Sequence, residues 1–159
     1  MTPNYVYVAS SWRNSMQPAV VAALRAAEID CYDFKNPEPG NVGFQWSEVM
    51  ARYPEITAGG GIGSNSLALD EEYLEAIKHP IAQHGFRRDM DALERCDTCV
   101  LILPCGRSAH LELGWAVGAG KKTAILLDGP MVTPELMYLM VDHISDTLLD
   151  LLGWLGVED

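Results

Sequence analysis

Two carboxylates stand out in this chain as candidate chemical groups. One is Glu112, in Ser108-Ala109-His110-Leu111-Glu112-Leu113-Gly114-Trp115-Ala116, and the other is Asp89, in Asp89-Met90-Asp91-Ala92-Leu93-Glu94-Arg95-Cys96-Asp97. An apolar run, Thr98 to Leu103, precedes the first segment and reads as a buried strand. It passes through a Pro/Cys/Gly/Arg/Ser turn into a helix expected over about Ala109 to Gly118. That reading puts Glu112 in the first helical turn, where the positive end of the helix dipole keeps a carboxylate ionised, the state a nucleophile needs. A second carboxylate nearby can hold sugar hydroxyls or handle a proton, and two carboxylates around one anomeric centre make glycosyl-transfer chemistry. The plainer role for Glu112 is a helix acid opposing the dipole, worth ~0.3–1 kcal/mol, and for Asp89 a solvated helix acid. Asp91 and Asp97 read as structural. Ser108 and His110 do not make a serine hydrolase, because the Gly-x-Ser-x-Gly elbow is missing and residues two apart on a helix do not face each other.

Positioning these groups takes a sheet. Val6-Tyr7-Val8-Ala9 reads as a first strand, Ser10-Ser11 as a break, and Pro18 to Ala27 as a helix with Val20, Val21 and Leu24 inward. Ile29 to Phe34 reads as a second strand, followed by a Pro- and Gly-rich loop and a short helix opened by Phe44-Gln45-Trp46. Asp70 to Lys78 reads as a helix, separated by Pro80 from a second helix over about Ile81 to Arg95. Lys122 to Leu127 reads as a strand, and Pro134 onward as an apolar helical tail through Leu136, Met140, Ile144, Leu148, Leu152 and Leu155, interrupted near Asp142. Strands alternating with helices predict a doubly wound parallel α/β sheet of the flavodoxin or Rossmann-like kind, with helices on both faces, in one domain spanning residues 1–159. In such folds the carboxyl ends of the strands converge on a crevice, so the Ser10-Ser11-Trp12-Arg13 turn, Asp89, Ser108 and Glu112 are expected to share a pocket.

Composition removes several classes of function. The 159 residues carry a formal net charge of -11, against the clustered Lys and Arg that a nucleic-acid polymer requires. No apolar run reaches the ~20 residues of a membrane span, and no basic region precedes the first apolar stretch, so a cytoplasmic protein without membrane contact is expected. Cys31, Cys96, Cys99 and Cys105 are too few and too irregular for a disulfide framework, and Cys96-Asp97-Thr98-Cys99 lacks the second pair or His partner of a zinc site. We therefore expect structural thiols and no metal. Ala58-Gly59-Gly60-Gly61-Ile62-Gly63-Ser64-Asn65-Ser66 follows no strand and closes with no Gly-Lys-Ser/Thr, so a lid or linker is favoured over a phosphate loop. The Leu148, Leu151, Leu152, Trp154 and Leu155 stripe reads as core or a subunit contact, and with it a homo-oligomer is expected.

Three segments together carry a resemblance. Tyr7-Val8-Ala9-Ser10-Ser11-Trp12-Arg13, then Asp89 to Asp97, then Ser108 to Ala116 with Gly120-Lys121-Lys122, resemble the nucleoside 2-deoxyribosyltransferase superfamily, including its deoxynucleoside monophosphate glycosidase branch. The resemblance implies that Glu112 attacks the anomeric carbon, displaces the base and forms a covalent glycosyl enzyme with no cofactor. It implies that Asp89 positions the sugar or assists the leaving base, and that Tyr7, Ser10, Ser11 and Arg13 lie where a nucleoside or nucleotide binds. Phe44 and Trp46 are candidates for stacking on a base, by position alone. Arg107, with a planar fork suited to phosphate, and Ser108 stand at the helix start. This chain departs from the family in Cys105-Gly106-Arg107-Ser108-Ala109-His110, bulkier and more basic than the usual Gly or Ser before the Glu. A non-catalytic nucleotide-sensing or protein-interaction module on the same fold, or a NAD-cleaving enzyme like some Toll/interleukin-1 receptor domains, stands as the alternative.

Overall fold

Apolar residues occupy successive positions in the first strand and are buried on both of its faces, the pattern of a strand inside a parallel sheet. The computed structural model describes residues 2–49, 73–127 and 134–157. In chain order these hold β1 (Tyr5–Ala9), α1 (Gln17–Ala26), β2 (Asp30–Asp33), a 3-10 turn (Trp46–Glu48) and helical residues at 73–78. There follow α2 (Pro80–Arg95), β3 (Thr98–Ile102), α3 (Arg107–Gly118), β4 (Lys122–Leu126), a second 3-10 turn (Leu136–Met140), β5 (His143–Ser145) and α4 (Leu148–Trp154). The Gly59–Ser66 segment and the expected helix start at Asp70 lie outside the described residues. Among the described residues no helix is long and apolar enough to cross a membrane.

The chain divides into two compact units, residues 1–34 with 92–159, and residues 35–91. The first contains a five-stranded sheet in the order β2-β1-β3-β4-β5, every pair parallel. Register is set with Val6 opposite both Cys31 and Thr98, and Val100 opposite Ala124. Alternation then sorts the side chains. Val6, Val8, Cys31, Val100, Ile102, Ala124 and Leu126 form one core with Val20, Val21 and Leu24 of α1 and with Leu151 and Leu155. Tyr7, Cys99, Leu101 and Ile125 face the other way, and α3 packs against β1, β3 and β4 through a stripe of Ala109, Leu113 and Ala116. In the second unit the 3-10 turn closes with a capping box between Gln45 and Glu48, and Phe44 lies against Gly85, where an added Cβ would meet its ring at 3.0 Å.

The expected doubly wound parallel α/β sheet is the observed one; the tail and one helix start are corrected. Residues from Pro134 onward do not form an interrupted helix. The Asp142 carboxylate accepts from the Thr123 amide at 2.8 Å and its hydroxyl at 3.2 Å, anchoring the chain beside the start of β4, so that His143–Ser145 pairs as a fifth strand. Only Leu148–Trp154 is α-helical there. Leu151 and Leu155 are fully buried, each contributing about 1.5–3 kcal/mol, while Leu148, Leu152 and Trp154 pack on the same core. The tail therefore completes the monomer's own core. The second correction concerns α3, which begins at Arg107 behind Gly106 as N-cap, two residues earlier than expected. Glu112 is then the sixth helical residue, in the second turn, and the first turn holds no acid.

Helix ends follow local chemistry. α3 closes with Gly120 in the left-handed region (φ +70), its amide bonded to the Val117 carbonyl and that of Lys121 to Ala116. α1 closes with the same bonds around Glu28, a non-glycine residue held at φ +59.

Candidate functional site

Strand order reverses direction between β1 and β3, and there the turns leaving both strands meet at the carboxyl edge of the sheet. The β1 turn is tightened by Ser11, whose hydroxyl accepts from the Arg13 amide and whose carbonyl accepts from the Asn14 amide. Ser10 donates its hydroxyl to the carbonyl of Ile102, the last residue of β3, at 2.9 Å. Asn14 is buried beside it and donates its side-chain amide to the carbonyls of Pro104, at 3.1 Å, and Ile102, at 3.4 Å. Its side-chain oxygen accepts from the amides of Met16 and Gln17 at the start of α1. Gln17, fully buried, donates in turn to the Asp33 carboxylate at the end of β2, at 2.8 Å. The carboxyl ends of β2, β1 and β3 are thus joined by one relay of buried amides.

The turn from β3 to α3 carries the most chemistry. Leu103-Pro104 is cis. No side chain caps the start of α3, and Arg107 and Ser108 are exposed there, the arrangement in which helix amides and a guanidinium meet an anion. Glu112 is half-buried one turn further on, and its charge is felt by two thiols. Burial pushes the Cys105 thiol up to about 12 with Glu112 adding to the effect; burial, then Cys96 and then Glu112 hold the Cys99 thiol well above its ordinary range. Across the helix, His110 Nδ1 lies 2.8 Å from the Gly106 carbonyl, which can only accept, so that nitrogen bears the proton. In the neutral ring Nε2 then accepts from the Tyr138 hydroxyl at 2.8 Å, with the two rings stacked.

Ser10, Ser11, Arg13, Arg107, Ser108 and Glu112 all stand in the first unit, and the Ser10 and Asn14 bonds join their two turns. Tyr7 is there too, but interior: it is 1% exposed and stacks on Tyr32 at 5.2 Å, on the sheet face that α3 covers. Asp89, half-buried in α2, belongs to the second unit, as do Phe44 and Trp46, which meet edge to face at 5.0 Å. Cys31, Cys96 and Cys99 are buried free thiols, and Cys105 is half-buried.

Sequence reasoning missed the residues that join the turns. Asn14 three positions before a Pro-containing helix start carries a capping signal that was readable. Nothing in the sequence indicates its reach across to Ile102 and Pro104. Trp12, named in the β1 turn but given no role, is 43% exposed and edge-on to Phe34 at 5.4 Å, an aromatic surface at the carboxyl ends of β1 and β2.

No protein-family model matches the chain, and no curated protein matches its sequence. Among solved structures, a 2-deoxyribosyltransferase from the psychrotolerant bacterium Bacillus psychrosaccharolyticus is similar over 97% of this chain and 97% of its own, with a TM-score of 0.53 and 15% identity. The chain has that fold.

Proposed function

We propose that this protein cleaves the N-glycosidic bond of a nucleoside, a nucleotide or a related N-glycoside, with Glu112 as the nucleophile. The observation that carries the reading is a half-buried carboxylate, Glu112, in the second turn of the helix that leaves β3 at the carboxyl edge of the sheet, in a chain that shares its fold over 97% of its length with a 2-deoxyribosyltransferase. In the proposed reaction a Glu112 carboxylate oxygen bonds to the anomeric carbon as the C–N bond breaks. The base departs with that electron pair and takes up a proton. An incoming water or second base then attacks the same carbon, breaks the ester and restores the carboxylate, losing its own proton. Ser10, Ser11 and Arg13 are assigned to the substrate side and Ser108 and Arg107 at the start of α3 to a 5′-phosphate, while Tyr7, buried beneath α3, is left to support the sheet. None of these steps calls on a metal or an organic cofactor.

The test is release of free base, followed by chromatography, from a panel of nucleosides, their 5′-monophosphates and NAD. Glu112→Ala should abolish release while the thermal transition stays near that of wild type; a variant that keeps a tenth of wild-type turnover refutes the assignment. Arg107→Ala should weaken turnover of the 5′-monophosphate far more than that of the matching nucleoside, and equal losses refute the phosphate role. Binding of a panel member without base release would favour a sensing module on this fold.

A further inference from the structure

We propose that Asn14 is a positioning residue for this site. Its buried amide locks the turn between β3 and α3 to the turn after β1, and so sets where the start of α3 and Glu112 stand relative to Ser10, Ser11 and Arg13. The inference rests on the assignment of Glu112 as nucleophile.

The side chain works in two directions at once. Its oxygen accepts from the Met16 and Gln17 amides, at 2.8 and 3.0 Å, and so caps α1. Its NH2 group spans to the opposite turn, to the Ile102 and Pro104 carbonyls. Pro104 immediately precedes Cys105 and Gly106, the N-cap of α3, so a carbonyl held there fixes the origin of the helix that carries Glu112. Ser10 reaches the same Ile102 carbonyl, and Asn14 reaches past the strand end to Pro104. With Asn14 itself 4% exposed, losing the amide donors leaves two carbonyls facing a buried oxygen, and the turn must move to find water.

The two ends can be separated by substitution. Asn14→Asp keeps the shape and the capping oxygen, and replaces the NH2 donor with an oxygen aimed at two carbonyls. Asn14→Ser keeps a capping hydroxyl and is too short to cross, so it serves if the buried charge of Asp unfolds the protein. Three readouts apply to each variant of the full chain: alkylation of Cys105 by a maleimide, hydrogen exchange of the amides at 105–110, and kcat against KM for base release from 2′-deoxyadenosine and its 5′-monophosphate. We expect Cys105 to react about tenfold faster and the 105–110 amides to exchange at least about tenfold faster, as the turn opens to water. Turnover should fall about ten- to a hundredfold in kcat with KM changed less than about threefold, the cost of a misplaced nucleophile. Wild-type alkylation and exchange in both variants, with faster exchange confined to the start of α1, would reduce Asn14 to a helix cap and overturn the proposal. So would a loss confined to KM. A wild-type protein that releases no base from either substrate would overturn the glycosidase reading; the alkylation and exchange rates would still decide whether Asn14 holds the turn.

Discussion

Replacing Glu112 with Gln should make Cys105 a stronger acid. The thiol is pushed from 9.0 up to about 12, by burial first and by the charge of Glu112 second. At pH 8 roughly one thiol in ten is ionised at the ordinary value, but only about one in ten thousand at 12. Because burial is the larger cause, removing the carboxylate charge recovers less than half of that thousandfold suppression, a pKa lowered by less than about 1.5. A less basic thiolate is also a poorer nucleophile, which cancels about 0.4–0.5 of any gain on a logarithmic scale. The alkylation rate at pH 8 should therefore rise between about two- and eightfold. Iodoacetamide labelling followed by peptide mass spectrometry, across pH 7 to 10.5, reads the rate and the direction of the pKa together. Cys105→Ser identifies its peptide against the three buried thiols. A Cys105 pKa unchanged or raised in Glu112→Gln would mean that the carboxylate does not face the β3–α3 turn, and the placement of the proposed nucleophile would fail with it.

Lys121 donates its ammonium to the Glu94 carbonyl at 2.7 Å and the Cys96 carbonyl at 2.5 Å, closing the end of α2; Lys121→Met should cost about 1–2 kcal/mol, read as a thermal midpoint lower by about 3–6 °C. Glu28 sits at φ +59 at the end of α1, so Glu28→Gly should raise stability by up to about 1 kcal/mol in urea denaturation, and a loss would show that its side chain is needed there. The Asp150 carboxyl is held below its ordinary 3.8 by the His143 ring, 2.9 Å away, so its contribution is present above pH 3.8 and is lost as pH falls through the lower folded value; the midpoint gap between wild type and Asp150→Asn should close across that acid window and stay constant from pH 5 to 6. With the tail accounted for in the core, homo-oligomerisation is argued instead from exposed Leu111 of α3 and from Leu136, Met137 and Leu139; light scattering at micromolar concentration should give at least twice the chain mass, and a clean monomer refutes it.

β1 and β3 were legible because they are buried on both faces and so read as nearly unbroken apolar runs, and Pro18 marks the start of α1 by backbone chemistry that any sequence displays. β5 was not legible. Three residues with a single large apolar side chain, Ile144, have no period of their own, and they become a strand because Asp142 pins them beside Thr123, nineteen positions back in the chain. The start of α3 was misjudged for a related reason: Gly106 caps it without a side chain, so none of the usual capping residues marks the place. At the site, the Ser10 and Glu112 segments were readable, whereas the bonds from Asn14 to Pro104 and from Gln17 to Asp33 join turns far apart in sequence and leave no local trace.

The correction to α3 changes how the site handles charge. A carboxylate in the first turn would be the natural partner of the helix amides, and it would compete with any anionic substrate group for them. With Glu112 in the second turn, about 5.4 Å further along the axis, the first turn carries no acid and no side-chain cap, only exposed Arg107 and Ser108. The dipole fades within one turn, so it acts only weakly at Glu112. In the proposed reaction one turn of helix thus separates the negative charge that binds, a substrate phosphate at Arg107, from the negative charge that reacts. An acid introduced in the first turn, as in Ser108→Asp, should accordingly depress turnover of a 5′-monophosphate while sparing the nucleoside, and equal depression of both would show that the two charges are not separated in this way.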